Sequence, residues 1–190
     1  MGNIGSIINM LKKIGVNATL INKPEQVLES QKIILPGVGS FDNAVSRLKT
    51  LNLIEPIKEK AINGTPLLGI CLGMQLLGTY SEEGELNGLN IIPGKIIRFK
   101  TDQGIKIPHM GWNSVQHKPN PIFQNLSENK FYFVHSYYFQ PNDPNHSIGK
   151  THYGSSFTSA VNKDHIYGVQ FHPEKSHKYG MHLLRNFSLI

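Results

Sequence analysis

The segment Gly69-Ile70-Cys71-Leu72-Gly73-Met74-Gln75 constrains this chain more than any other, because it drives a buried strand into a helix across a single corner. Residues 66–70 form a short apolar run that predicts a strand, and residues 72–77 predict the start of a helix. Cys71, the only cysteine in 190 residues, stands between them. Glycines on both sides suit a strained strand-to-helix elbow, since side chains there would collide with neighbouring backbone and obstruct a substrate. Such an elbow exposes the sulfur. The helix N-terminus behind it favours thiolate through unpaired N–H groups and the helix dipole. Taken alone, the segment is equally compatible with a buried structural cysteine.

What an activated sulfur needs is found in Val169-Gln170-Phe171-His172-Pro173-Glu174. Residues 166–171 are rich in β-branched and aromatic side chains and predict a strand, which Pro173 ends while biasing His172 toward extended backbone. Residues two apart in extended chain point the same way. His172 and Glu174 can therefore converge, the carboxylate accepting one imidazole proton while the other ring nitrogen faces a thiol. A base oriented by a third group is how a weak nucleophile is activated. His-Pro-Glu alone also fits an ordinary turn at a strand end; joined to the elbow, it predicts a triad of Cys71, His172 and Glu174.

A third segment bears on charge. Residues 32–35 predict a buried strand, followed by the loop Pro36-Gly37-Val38-Gly39-Ser40 and an amphipathic stretch with Phe41, Ala44, Val45, Leu48 and Leu51 apolar. Glycines flanking Val38 allow backbone N–H groups to turn toward a ligand, and with the Leu72 N–H they could hold the oxyanion of a tetrahedral intermediate. A plain turn fits the loop equally well. A phosphate cradle fits poorly, because neither G-x-x-x-x-G-K-[ST] nor G-x-G-x-x-G spacing is present.

These segments resemble the class I, triad-type glutamine amidotransferases, and within them are similar to the glutaminase subunit of imidazole glycerol phosphate synthase. The likeness covers nearly the whole chain and keeps that family's order: Pro36 to Phe41, the elbow, Pro108-His109-Met110-Gly111-Trp112-Asn113, Phe133-Val134-His135-Ser136-Tyr137-Tyr138, and Phe171-His172-Pro173-Glu174-Lys175-Ser176. It implies a flavodoxin-like α/β fold with a mostly parallel central sheet and an antiparallel extension, residues 1–190 forming one amidotransferase domain. It further implies Cys71 as the nucleophile that forms a glutamyl thioester, His172 as general base and acid, and Glu174 as its orienter. Gly37, Val38, Gly39 and Leu72 would frame the oxyanion hole. Gln75, His135, Ser136 and Tyr137 match glutamine-pocket positions, and Asn3, Trp112, Tyr132 and Lys175 match positions facing a cyclase partner in a one-to-one heterodimer. No cofactor is implied.

One departure stands at the start. Family members open with an apolar strand and an Asp-Tyr-Gly turn ahead of the Met-Gly-Asn that begins this chain, and neither is present. Ile4, Ile7, Ile8, Leu11 and Ile14 nevertheless keep helical spacing up to Gly15. A missing central strand would leave neighbouring backbone groups unpaired. Either the true start lies upstream or something else fills the gap.

Elsewhere, residues 16–21, 32–35 and 67–70 predict strands alternating with helices, the pattern of βαβ units. Residues 91–139 read as strand-rich, and residues 179–187 as a closing helix. A single cysteine suits a reducing, cytoplasmic setting, and no apolar run approaches a membrane span or a signal peptide. The formal charge of +6 raises the possibility of an anionic partner. Lys12, Lys23, Lys58, Lys106, Lys118 and Lys163 are scattered, without a run or interleaved aromatics, which argues against nucleic acid and leaves an acidic protein partner open. The histidines lack metal-site spacing. Three functions thus fit: an ammonia-producing subunit of histidine biosynthesis, a paralogue supplying ammonia for bacterial surface-sugar amidation, and a catalytically impaired regulatory scaffold.

Overall fold

The computed structural model describes residues 4–100, 104–126 and 128–190. Helix α1 (Ile4–Lys13) buries Ile7 and Leu11 one turn apart and gives way to Gly15, whose φ of +80° favours a residue without a side chain. The chain continues through α2 (Pro24–Glu29), β1 (Ile33–Gly37), α3 (Phe41–Thr50), α4 (Ile54–Ile62), β2 (Leu67–Cys71), α5 (Leu72–Leu76), β3 (Tyr80–Ser81) and β4 (Gly94–Arg98). Strands β5 (His109–Ser114), β6 (Gln116–His117), β7 (Lys130–His135), β8 (Tyr137–Pro141), β9 (Ser147–Tyr153), β10 (Ser155–Lys163) and β11 (Ile166–Val169) follow, and α6 (His177–Leu189) closes the order.

The main sheet runs β1-β2-β11-β10-β8-β4-β3, with β9 paired to β10 and β6 to β9, while β5 and β7 form a separate ribbon. Strands β1, β2 and β11 are parallel, and so is the short β3–β4 pair. Every other pairing is antiparallel, so the antiparallel extension makes up a large share of the sheet. All five residues of β2 are buried because both faces of the sheet are covered. Its side chains alternate accordingly. Leu68 and Ile70 join a core with α1, α6 and the β5–β7 ribbon, whereas Leu67 joins one with α2, α3, α4 and α5.

Register brings the functional segments together. Gly37 lies opposite Cys71, and Val169 opposite Ile70, so the carboxyl ends of three parallel strands meet at one edge. That edge is where open α/β sheets bind ligands.

One expectation fails. Residues 16–21 form no strand, and among the described residues β1 is the outer strand on this side, paired only to β2. Residues 16–21 have β-forming side chains but no neighbouring strand to pair with, and an unpaired extended segment gains nothing from propensity alone. The predicted strand over 166–171 ends at Val169, and the helix after the elbow is a single short turn, Leu72–Leu76.

Candidate active site

Cys71 adopts φ +55° and ψ −110°, a conformation that costs a residue with a side chain about 1–3 kcal/mol. The surroundings enforce it. A Cβ at Gly69 would stand 2.6 Å from the Gly73 carbonyl oxygen, one at Gly73 would overlap the Leu35 carbonyl, and one at Gly37 would come within 2.8 Å of Leu72 Cβ. Strand, corner and helix thus approach more closely than side chains permit, and Cys71 takes the bend. Its sulfur, 7% exposed as a residue, lies 3.7 Å from Gln170 Nε2 and 4.0 Å from the Val134 carbonyl, and the His172 imidazole also faces it.

His172 Nδ1 and Glu174 Oε1 are 2.8 Å apart, with both side chains buried. The carboxylate therefore accepts from Nδ1, which leaves Nε2 as the ring nitrogen not engaged by Glu174. Nε2 is buried and makes no well-formed hydrogen bond among the described residues. Burial, the largest influence on this imidazole, lowers its pKa. Cys71 and Glu174, through hydrogen bonding and negative charge, outweigh burial and raise it to about 9. The backbone around His172 is fixed on three sides: its N–H donates to the Tyr132 carbonyl, and its carbonyl accepts from Ser176 Oγ and the Lys175 N–H.

The residues expected to line a glutamine pocket form a second array. Gln75 Nε2 donates to the Tyr137 carbonyl and to Gln170 Oε1, both at 3.1 Å. His135 Nδ1 donates to the same Tyr137 carbonyl at 2.8 Å, and the Ser136 carbonyl accepts from the Phe99 N–H. His135 Nε2 lies 3.0 Å from His109 Nδ1. Desolvation by burial lowers His109 to about 4 and, against the opposing Tyr137 hydrogen bond, His135 to about 3. Both rings are therefore neutral at ordinary pH.

Gly37 ends β1, and the loop after it carries Val38 and Gly39 past the elbow, with Gly39 at φ +98° and Val38 exposed. Leu72 is the first residue of α5 and is buried. Beyond the loop, Glu83 Oε2 accepts from the Phe41 N–H, and the Asp42 carboxylate accepts from the Glu85 and Leu86 N–H groups, clasping the N-terminus of α3.

On the outer side of the β5–β7 ribbon, Trp112 pairs across strands with Tyr132, ring centroids 6.2 Å apart, and stacks on His177 at 5.5 Å. Lys175 Nζ sits 5.6 Å over the Tyr132 ring. Trp112 is 47% and Met110 61% exposed, giving an apolar face with a cation at its rim. Asn3 lies outside the described residues. No group of three or more His, Cys, Asp or Glu side chains among the described residues is placed to hold a metal ion, and no helix among them is long and apolar enough to cross a membrane.

Glu83, His109, Asn113 and Gln170 also stand in or beside the site, although motif spacing assigns them no part. Their only sequence signal is adjacency: Gln170 comes two residues before His172, and His109 begins the strand that carries Trp112.

Residues 1–190 match the family model described as glutamine amidotransferase class-I. The imidazole glycerol phosphate synthase subunit HisH 2 of Methanococcus maripaludis is 55% identical over 190 residues, covering 98% of this chain and 94% of that protein. The corresponding subunit HisH of Sulfurimonas denitrificans is 48% identical over 193 residues, covering 99% and 93%. A solved structure described as a glutamine amidotransferase shares the fold at a TM-score of 0.74 and 16% identity, over 98% of this chain and 95% of that one. With its elbow, its buried His-Glu pair and these relatives, the chain belongs to the class-I glutamine amidotransferases of the HisH type.

Proposed function

We propose that this chain is the glutaminase subunit of an imidazole glycerol phosphate synthase, hydrolysing glutamine to glutamate and ammonia and passing the ammonia to a cyclase subunit in histidine biosynthesis. The names carried by the relatives support this reading over the surface-sugar and scaffold alternatives. The observation that carries the chemistry is a strained Cys71 beside an imidazole held at 2.8 Å by a buried carboxylate.

In the reaction, the Cys71 thiolate attacks the carboxamide carbon of glutamine, and the carbonyl electron pair moves onto oxygen. Backbone N–H groups of the 37–39 loop and of Leu72 receive that oxyanion. His172, protonated at Nε2, gives its proton to the leaving nitrogen, so ammonia departs and a glutamyl thioester remains. The now neutral imidazole takes a proton from water as the water attacks the thioester. Glutamate then leaves and the thiolate is restored. Gln75, His135, Ser136 and Tyr137 shape the glutamine pocket, largely through the backbone around Tyr137.

Trp112, Met110, Tyr132 and Lys175 form the face on which the cyclase docks, one to one. The single thiol and its chemistry suit the reducing cytoplasm. Glutamate formation measured with cyclase and acceptor present tests the reading: a glutamine-analogue electrophile should label Cys71 and abolish turnover, and Cys71→Ala should be inactive. Glutamate formation by Cys71→Ala would overturn it.

A further inference from the structure

Gln170 is completely buried, yet it carries a primary amide, a group that is costly to desolvate unless both its ends are bonded. Both ends are. Its Oε1 accepts from Gln75 Nε2 at 3.1 Å, and its Nε2 points at the Cys71 sulfur at 3.7 Å. Which end of an amide is nitrogen has to be deduced from its partners. Here the partners leave no choice: the Tyr137 carbonyl can only accept, so the Gln75 atom facing it is the NH2 group. That NH2 also faces Gln170, which fixes the Gln170 oxygen toward Gln75 and its N–H toward sulfur.

The array continues outward with the same certainty. His135 Nδ1 must donate to the Tyr137 carbonyl, so its Nε2 accepts from His109 Nδ1, and His109 Nε2 in turn accepts from Asn113 Nδ2 at 3.2 Å. Asn113 is oriented by backbone at both ends, donating to the His152 carbonyl at 2.9 Å and accepting from the Ser114 N–H at 2.8 Å. Backbone groups of three separate strands thereby determine the direction of every bond as far as the sulfur.

The His172 imidazole, oriented by Glu174, faces the sulfur and its positive charge favours S⁻; the two other neighbours of the sulfur differ in kind. The Val134 carbonyl accepts, so of the two states of the sulfur only S–H can bond to it. The Gln170 amide donates, so it favours S⁻. We propose that Gln170 is a positioning residue for the nucleophile: its oriented amide N–H holds the Cys71 sulfur as thiolate and off the Val134 carbonyl, and Gln75 keeps that amide from turning over. This rests on Cys71 being the nucleophile.

The experiment is the rate of Cys71 alkylation by iodoacetamide in the full chain as a function of pH, a readout available because the chain has one thiol. Replacing the donor in Gln170→Met should move the midpoint of the profile up by about one pH unit, lowering the neutral-pH rate about ten-fold, while the rates converge at high pH. Gln170→Leu also removes the donor without adding charge, and it should move the midpoint as far, which covers a Met variant that does not fold. Gln75→Met should give a smaller shift in the same direction. A wild-type midpoint in a folded Gln170 variant, or a rate lowered equally at every pH, overturns the proposal. Glutamine turnover by alkylated wild-type protein would instead defeat the assignment of Cys71 as nucleophile, while the midpoint comparison would still report on the amide.

Discussion

The backbone N–H of His172 donates a 2.8 Å hydrogen bond to the carbonyl of Tyr132. The Tyr132 ring also contacts both Trp112 and Lys175. The His172 imidazole and the exposed aromatic face therefore share one stretch of backbone, and a partner pressing on that face would act on the segment that sets the imidazole.

Lys175→Ala removes an exposed cation–π contact of about 0.5–1 kcal/mol, and with it part of the rim of the proposed docking face. Affinity for the cyclase should weaken about two- to five-fold in a titration of one subunit with the other. The stimulation of glutamate formation by partner should fall with it, while Cys71 alkylation in the isolated chain stays at the wild-type rate. Unchanged affinity and stimulation would remove Lys175 from the interface.

Within the triad, His172→Ala should cost more turnover than Glu174→Gln. The alanine variant loses the proton carrier, a loss of about a hundred- to ten-thousand-fold, whereas glutamine retains a hydrogen-bonding group beside Nδ1. Steady-state glutamate release with partner present measures both. A wild-type rate in His172→Ala would exclude the triad.

Replacing Cys71 by glycine should relieve the strain at the corner while abolishing activity. The backbone angles of +55° and −110° are open to glycine and strained for alanine, so Cys71→Gly should melt about 2–4 °C or more above Cys71→Ala. Equal melting temperatures would mean that the corner stores no strain.

The imidazole pair predicts an acid limb of stability. His109 and His135 are lowered from 6.5 to about 4 and about 3, so below pH 6.5 the unfolded chain binds protons that the folded chain refuses. Their contribution is fully present above pH 6.5 and declines as pH falls from there toward 4. His172 has the opposite sign. Raised to about 9, it adds stability that is complete below pH 6.5 and lost as pH rises through 9. Thermal melts across pH 4–10 should show both limbs, and His109→Phe should flatten the acid one. An acid slope equal to wild type in that variant would assign the limb to other groups.

The elbow, His-Pro-Glu and the 37–39 loop are legible in sequence because each is local: glycine, proline and extended spacing impose their geometry within a few residues. Gln170 reaches Cys71 only because β11 lies parallel to β2 with Val169 opposite Ile70. His109 meets His135 only because β5 and β7 pair with those two residues face to face. No spacing rule carries that information. The misreading of residues 16–21 has the same root, since strand propensity is read along a chain and strand formation depends on a neighbour across space.

Pairing of Gly37 with Cys71 and of Ile70 with Val169 makes competence a matter of alignment. Side chains alternate faces along a strand, so a slip of β11 by one residue would turn Gln170 away from the sulfur and carry His172 to the wrong face. Helix content, compactness and most apolar burial would survive such a slip. Thiol reactivity at neutral pH would not, so it grades refolded material for correct alignment where circular dichroism and size-exclusion chromatography cannot.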